Sequence, residues 1–264
     1  MQNFNYHTHT YRCGHADYNM SDEDFIKELI NKGFKKMAFT DHAPIKSDFY
    51  DKKGMRMNYE EKDEYLDSIK NLKEKYKDKI EIKTGFEIEY LPKYEDELFE
   101  LKNETDVLVL GQHYVCVGDN IKKFRHHAFT DEDLIQYAEH ICTAIKKGLP
   151  DIIVHPDLYM LSRETFGPNE EKVAHIICKC AEEYNIPLEI NLTDPHLYLV
   201  GIKNKVVYPC KEFWKIVSQY NIRVLYGIDA HYKKQIRNYE ESINLANKII
   251  GKEIIEKLNF IKDY

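Results

Sequence analysis

Apolar residues in this chain fall into short bursts separated by longer stretches of amphipathic spacing. The bursts at residues 4–8, 36–40, 81–86, 106–111, 151–155, 187–191 and 223–227 are brief and rich in Ile, Val, Leu or aromatic side chains, and they read as strands. Between them, apolar positions recur at helical spacing over residues 22–32, 59–76, 131–147, 169–184, 210–220 and 239–249. Punctuation supports two of these helices. Ser21 stands as a cap before the acids of the first and Gly33 ends it, while Thr130 and Gly148 bracket the third. Seven strands alternating with helices predict a parallel sheet. The expected fold class is α/β, a distorted (β/α)7 barrel with its chemistry at the C-terminal ends of the strands. An open doubly wound sheet is the alternative, because the pattern does not fix closure.

The chain has 264 residues and contains no fixed-period repeat, low-complexity tract or Pro/Gly-rich linker, so residues 1–264 read as one domain. Hydrophobic residues make up 43%, enough for a substantial core, and no run approaches the length of a membrane span. The N-terminal stretch lacks the basic and apolar regions of a secretory signal. A net charge of −7 provides no global attraction to nucleic acid or anionic membrane, so neither is an expected partner. The six cysteines form no C-x-x-C pair and fit reduced thiols in a cytoplasm. Cys178 and Cys180 lie two apart on a predicted helix, point to different sides, and do not read as a metal pair.

Twelve histidines are many for this length, and most of them sit at strand ends. His7 and His9 close the first strand at i, i+2 spacing, which puts both imidazoles on one side. Asp41 and His42 follow the second strand, Glu87 and Glu89 the third, and His113 the fourth. His155 ends the fifth strand, and Asp229 and His231 follow the seventh. His15 lies in the loop after the first strand. Imidazoles with carboxylates are the ligand set of zinc, iron or manganese. His7, His9, His15, His42, Glu87, His113, His155, Asp229 and His231 are nine donors, too many for one ion. They suit two or three divalent ions, with Glu87 as the bridge. Closely spaced ions activate water and clamp the oxygens of an in-line displacement, which is phosphoester hydrolysis chemistry. Any one of these histidines alone could be a packed core residue; the recurrence at one end of six strands is the signal. Of the rest, His140 and His175 fall inside helices as surface or packing residues, and His126 and His127 fall in a polar, solvated stretch. His196 follows the sixth strand and could line the mouth of the site.

The order of motifs resembles one family. Tyr6-His7-Thr8-His9-Thr10, Cys13-Gly14-His15-Ala16, Thr40-Asp41-His42-Ala43, Gly85-Phe86-Glu87-Ile88-Glu89-Tyr90, Gly111-Gln112-His113, Val154-His155-Pro156-Asp157, Glu189-Ile190-Asn191 and Asp229-Ala230-His231 are similar to the polymerase-and-histidinol-phosphatase (PHP) family, over residues 6–231. Within it the chain most resembles the monofunctional histidinol-phosphatases, on Arg12-Cys13-Gly14-His15-Ala16, Glu87-Ile88-Glu89-Tyr90 and Ser162-Arg163. The resemblance implies a trinuclear site. His7, His9, Glu87 and Asp229 would hold one ion, Glu87, His113 and His155 a second, and His15, His42 and His231 a third. It also implies that Arg163 binds the substrate phosphate, a role that suits its bidentate fork. Gly201-Ile202-Lys203 resembles a stretch that carries a second arginine in relatives, which makes Lys203 a second phosphate contact as a point charge. A further departure is Ile228, where a small hydroxyl residue commonly precedes the aspartate.

The expected reaction is therefore hydrolysis of a small phosphate monoester, L-histidinol phosphate by resemblance, with another small phosphate or nucleotide as the alternative. Asp41 or a metal-bound water is the expected proton source for the leaving group, with Arg163 as the catalytic residue on the phosphate. Glu89 and nearby tyrosines are the expected acceptors for the substrate's imidazole and amine. An exonuclease would show a basic track. An amidohydrolase would bridge its metals through a lysine near the fourth strand and leave His15 and His42 unused. A metal store without turnover remains a non-enzymatic alternative. The ligand set does not choose among the metals, and the sequence does not give the oligomeric state.

Overall fold

The computed structural model describes residues 2–46, 55–117, 120–123 and 128–262, so His126 and His127 lie outside the described residues. Eight strands form one parallel sheet: β1 (Phe4–Asn5), β2 (Lys36–His42), β3 (Glu81–Ile88), β4 (Val107–Leu110), β7 (Ile152–Ile153), β8 (Leu188–Asn191), β9 (Arg223–Gly227) and β10 (Asn259–Phe260), in that spatial order. The hairpin β5 (Tyr114–Val117) and β6 (Asn120–Lys123) is antiparallel and separate from the sheet. Helices α1 (Asp22–Asn31), α2 (Lys62–Tyr76), α3 (Glu95–Glu104), α4 (Asp131–Lys146), α5 (Pro168–Glu183), α6 (Thr193–Leu199), α7 (Lys211–Val217), α8 (Lys233–Arg237), α9 (Tyr239–Ile250) and α10 (Lys252–Ile255) complete the structure.

The sheet curls until its ends meet. Thr8 and Ala230 form an isolated parallel bridge, the His9 amide donates to Ala230 O at 2.9 Å, and the Ala230 amide donates to His7 O at 3.2 Å. The first strand thus closes on the segment beyond β9, and the chemistry-bearing stretch 7–9 is part of the seam. At the other end of β9, β10 pairs Asn259 with Arg223, so the wall is irregular there. This is the distorted β/α barrel, with an eighth strand that is too short to show in the apolar pattern.

Because helices cover the sheet, the strands are apolar on both faces, and alternation decides which side chains face inward. Met37, Phe39, Phe86, Ile88, Leu108, Leu110, Leu188 and Ile190 join the layer packed under the helices. Phe4, Tyr6, Ala38, Val107, Val109, Ile152, Val154 and Leu225 fill the barrel interior. Glu87 alternates with the outward Phe86 and Ile88, and Glu189 with Leu188 and Ile190. Both carboxylates therefore point into the interior, where they are 2% and 0% exposed.

Four helices outside the expected set have plain causes. The ten-residue α3 buries only Leu98 and Leu101, and α6, α8 and α10 are seven residues or shorter, so none carries a full helical period of apolar positions. Among the described residues no helix is long and apolar enough to cross a membrane.

Candidate metal centre

All nine expected ligands converge at the C-terminal mouth of the barrel. His42 ends β2 directly opposite Glu87 in the parallel register with β3, so two strands alone set one histidine–carboxylate pair, with His42 Nδ1 2.8 Å from Glu87 Oε2. Around Asp229 Oδ1 stand His9 Nε2 at 3.1 Å and His7 Nε2 at 3.5 Å. Glu87 lies 3.8 Å from His7 Nε2 and 3.5 Å from His9 Nε2 through its two oxygens. Glu87 Oε1 also faces His155 Nε2 at 2.8 Å and His113 Nε2 at 3.9 Å. Glu87 is the carboxylate shared between these two groups. Among triads whose donor atoms all lie within 4.8 Å of one another are His7–His9–Asp229, His7–Glu87–His155 and His9–His42–His231, with Cys13–His15–His231 beside them.

The far side of each ring fixes its tautomer. His7 Nδ1 donates to Glu189 at 2.9 Å, His9 Nδ1 to Asp41 at 3.4 Å and His113 Nδ1 to Glu89 at 2.5 Å. His15 Nδ1 donates to Cys13 O and His231 Nδ1 to Asp229 O, both at 3.0 Å. Carboxylates and carbonyls only accept, so in all five rings Nδ1 carries a proton and Nε2 is the nitrogen turned into the centre, the atom left for a metal ion. This is the arrangement in which partners behind the ligands set their orientation and basicity.

The consequence is a set of buried ring nitrogens without partners. His7 Nε2, His9 Nε2 and His155 Nδ1 are buried with no hydrogen-bond partner among the described residues. His15 Nε2 and His231 Nε2 face each other at 2.9 Å with both Nδ1 protons already committed. Lone pairs opposed at that distance repel unless a cation sits among them, so the donor set fits divalent metal ions. Protonation follows the same logic. Burial penalises the Glu87 and Asp229 charges, but His42 and His113 around Glu87, and His7 and His9 around Asp229, outweigh it and hold both carboxyls well below the usual range. Burial, then the neighbouring His9 charge, pushes His15 and His231 down, keeping those imidazoles neutral, whereas against the cost of burial Glu189 and Asp229 raise His7, and Asp229 and Asp41 raise His9 to about 9, so an ion entering the centre takes the place of protons on those two rings. Ionised carboxylate and neutral imidazole are the forms that bind metal.

The backbone is shaped around the same atoms. His155 and Asp229 adopt positive φ, 34° and 52°, unusual for non-glycine residues and found where a site over-determines the chain. A Cβ on Gly111 would lie 1.8 Å from Glu87 Oε1, and one on Gly227 would lie 1.8 Å from Glu189 Oε2. These two glycines leave the space the carboxylates occupy.

Above the centre opens a cavity of about 740 Å³. His15, His42, Glu87, His113, His155, Asp229 and His231 form its floor, and Leu158, Leu161, Leu197, Val200, Ile202 and Tyr208 contribute an apolar wall.

Residues 5–193 match the PHP domain model. Over 259 residues the chain is 34% identical to the histidinol-phosphatase of Bacillus subtilis, spanning 88% of this chain and 94% of that protein. The chain belongs to the PHP domain family. A solved histidinol phosphate phosphatase from Lactococcus lactis, complexed with zinc, L-histidinol and phosphate, superimposes with a TM-score of 0.69 at 19% identity, covering 98% of this chain and 95% of that one. That likeness gives this PHP chain its fold.

The PHP barrel does not bring every expected residue to the cavity. Arg163 is turned aside. Its Nε bonds Glu170, one amino group donates to Phe129 O at 2.9 Å and the other pairs with Asp131 at 3.0 Å, which ties the starts of α4 and α5 together. Lys203 bonds Asp194, a fully buried carboxylate that also accepts from the Val207 amide at 2.7 Å. Neither basic residue lines the cavity. Asp41 is fully buried behind His9 and accepts from the Thr10 amide, the Thr10 hydroxyl and the His42 amide, so the structure places it as a holder of the first two strand ends and off the cavity wall. Glu89 reaches the cavity, but its oxygens receive the amide and the ring of His113.

Glu189 is the functional residue missed by reasoning from spacing. It holds His7, accepts from the His155 amide at 3.3 Å, and binds Asn191 Nδ2 at 2.8 Å. Asn191 and Thr193 in turn hold Asp229 Oδ2 at 3.3 and 3.0 Å, which leaves Oδ1 for the centre. The available signal was an acid followed by an amide at i, i+2 at the end of the sixth strand.

Proposed function

We propose that this chain hydrolyses L-histidinol phosphate to L-histidinol and inorganic phosphate as a metal-dependent phosphomonoesterase of histidine biosynthesis. The observation that carries the reading is the ring of inward-facing imidazole nitrogens on His7, His9, His15 and His231 beneath an open cavity, together with the Bacillus subtilis relative aligned along nearly its whole length.

In this reading His7, His9, Glu87 and Asp229 hold one ion, Glu87, His113 and His155 a second, and His15, His42 and His231 a third, with zinc, iron and manganese all suited to the donors. Bound divalent ions supply an activated water and stabilise charge on the phosphoryl oxygens. The chain's own groups supply order. Glu189 fixes the proton on His7 Nδ1, Glu89 does so on His113, and Asp41 anchors His9. Asn191 and Thr193 keep one oxygen of Asp229 out of play. The apolar wall of Leu197, Val200 and Tyr208 accommodates a flat ring and excludes water from the ester. No disulfide joins any of the six cysteines, which supports a reducing compartment, the cytoplasm.

The test is phosphate release from L-histidinol phosphate beside p-nitrophenyl phosphate, before and after metal stripping. Fast release from histidinol phosphate that disappears on stripping and returns with zinc, manganese or iron is the expected result. Turnover of the generic ester alone would replace the substrate and keep the centre; no turnover of either by metal-loaded protein would end the phosphatase reading.

A further inference from the structure

A phosphate monoester needs protein donors as well as ions, and the two basic residues that the sequence offers for that task are engaged elsewhere. Arg163 is committed to Glu170, Asp131 and Phe129 O, and Lys203 to Asp194. Among the described residues the cavity-lining lysines and arginine are Arg56, Lys123 and Lys234. Arg56 donates to Ala43 O at 2.7 Å, and the Lys123 ammonium lies 4.9 Å from the centre of the Tyr114 ring. Lys234 differs. It belongs to α8, the turn that follows the ligand His231. Its neighbours Lys233 and Arg237, one helical turn apart, both pair with Glu28, at 2.6 and 3.0 Å. Lys234 projects from another face of that turn and lines the cavity, and its side chain makes no hydrogen bond or ion pair with any described residue.

His196 of α6 lines the same cavity, 5% exposed, with Nδ1 enclosed and without a partner among the described residues. Burial, and then the nearby charge of Lys234, lowers the pKa of this ring. A neutral imidazole offers one N–H donor. No described residue bonds either ring nitrogen, and with Nδ1 enclosed it is Nε2 that remains for a ligand in the cavity.

We infer that Lys234 and His196 are the protein's own contacts to the phosphate ester, the ammonium on a terminal phosphoryl oxygen and the imidazole N–H on a second oxygen of the same group. The pair rests on the phosphatase reading and takes the place expected for Arg163 and Lys203. It places the phosphate against the His231 side of the centre, with the rest of the substrate towards Leu197 and Tyr208.

The experiment is calorimetric titration of inorganic phosphate into metal-loaded protein, with metal content checked for each variant. Lys234→Met weakens phosphate binding by about tenfold to a hundredfold, the range for a lost charge-assisted hydrogen bond, and Lys234→Arg restores most of it. His196→Leu weakens it by about three- to tenfold, as for a neutral donor, and His196→Gln, which keeps a donor, by less. Arg163→Met binds phosphate as the parent does. Lys234→Met with parental phosphate affinity and full metal content overturns the inference, and so does a large loss in Arg163→Met alone. Because phosphate is the product of every phosphomonoesterase, failure to turn over histidinol phosphate would remove that substrate without touching this result.

Discussion

Replacing Glu189 by Gln tests whether the layer behind the ligands matters as the geometry implies. The substitution keeps shape and removes charge. Glu189 Oε2 takes the proton of His7 Nδ1 at 2.9 Å, while Oε1 takes those of the His155 amide at 3.3 Å and Asn191 Nδ2 at 2.8 Å. Both oxygens accept, and a carboxamide has only one. If its NH₂ faces His7, two donors oppose each other and the ring must flip or move its proton to Nε2, where the lone pair is needed. If it faces the other way, the His155 amide and Asn191 lose their acceptor. The site is fully buried, so no water relieves either arrangement. The loss of a partner that orients a metal-bound histidine costs about ten- to a hundredfold in metal affinity, or about 1.4–2.7 kcal/mol. Competition against a chromophoric chelator measures it directly, and the weakest-held ion should drop out of a metal count first. Glu189→Gln with parental metal stoichiometry and affinity would refute the argument that Glu189 sets the His7 tautomer.

Further outcomes follow from the same structure. Gly227→Ala puts a methyl 1.8 Å from Glu189 Oε2, and should cost about 3 kcal/mol in denaturant stability while lowering metal content. Chelation should lower the melting temperature. At free metal about a thousandfold above Kd the linkage is about 4 kcal/mol, which for a chain of this size is a shift on the order of 10 °C by calorimetry. Arg163→Met should lower the melting temperature through the loss of its Glu170 and Asp131 contacts, by about 2–6 °C. His140 is 3% exposed, and burial holds its pKa near 4. The unfolded chain takes up this proton below about 6.5, so the contribution is complete above that pH and is lost towards pH 4, by up to about 3 kcal/mol. The difference in denaturation midpoint between the parent and His140→Gln, followed from pH 7.5 to 4.5, should shrink as pH falls, and a constant difference would refute the assignment.

Much of the fold was legible because a parallel β/α barrel writes itself as apolar bursts separated by helical periods. All seven expected strands exist, several of them shorter than their apolar run: residues 151–155 yield only Ile152–Ile153, because the ladder ends as the chain bends to positive φ at His155, with the Val154 amide making a last bond to Leu110 O at 3.0 Å. What stayed hidden was short or nonlocal. The two-residue β10 and the bridge of Thr8 to Ala230 have no periodic signature, so closure could not be read from spacing. The convergence of the nine proposed ligands was legible for a different reason. All but His15, which lies in a loop, stand at or just after the end of a strand, and strand ends are where a barrel brings distant sequence together.

Arg163 and Lys203 show where such reasoning stops. A position after a strand places a residue near the mouth, but the direction of a long side chain depends on what else is within reach. For Arg163 a buried carboxylate on α5 and a helix start on α4 offer three acceptors, and a guanidinium with five donors goes where the acceptors are. Lys203 meets Asp194, which would otherwise be a buried charge without a cation, and that pairing outweighs any orientation towards solvent. The Lys234 side chain has no such acceptor among the described residues: Glu28, which its turn packs against, is already shared by Lys233 and Arg237. A basic residue becomes available to a ligand when the fold has satisfied its neighbours' acceptors with other cations, and that condition is a property of the packed structure which no single position in the sequence carries.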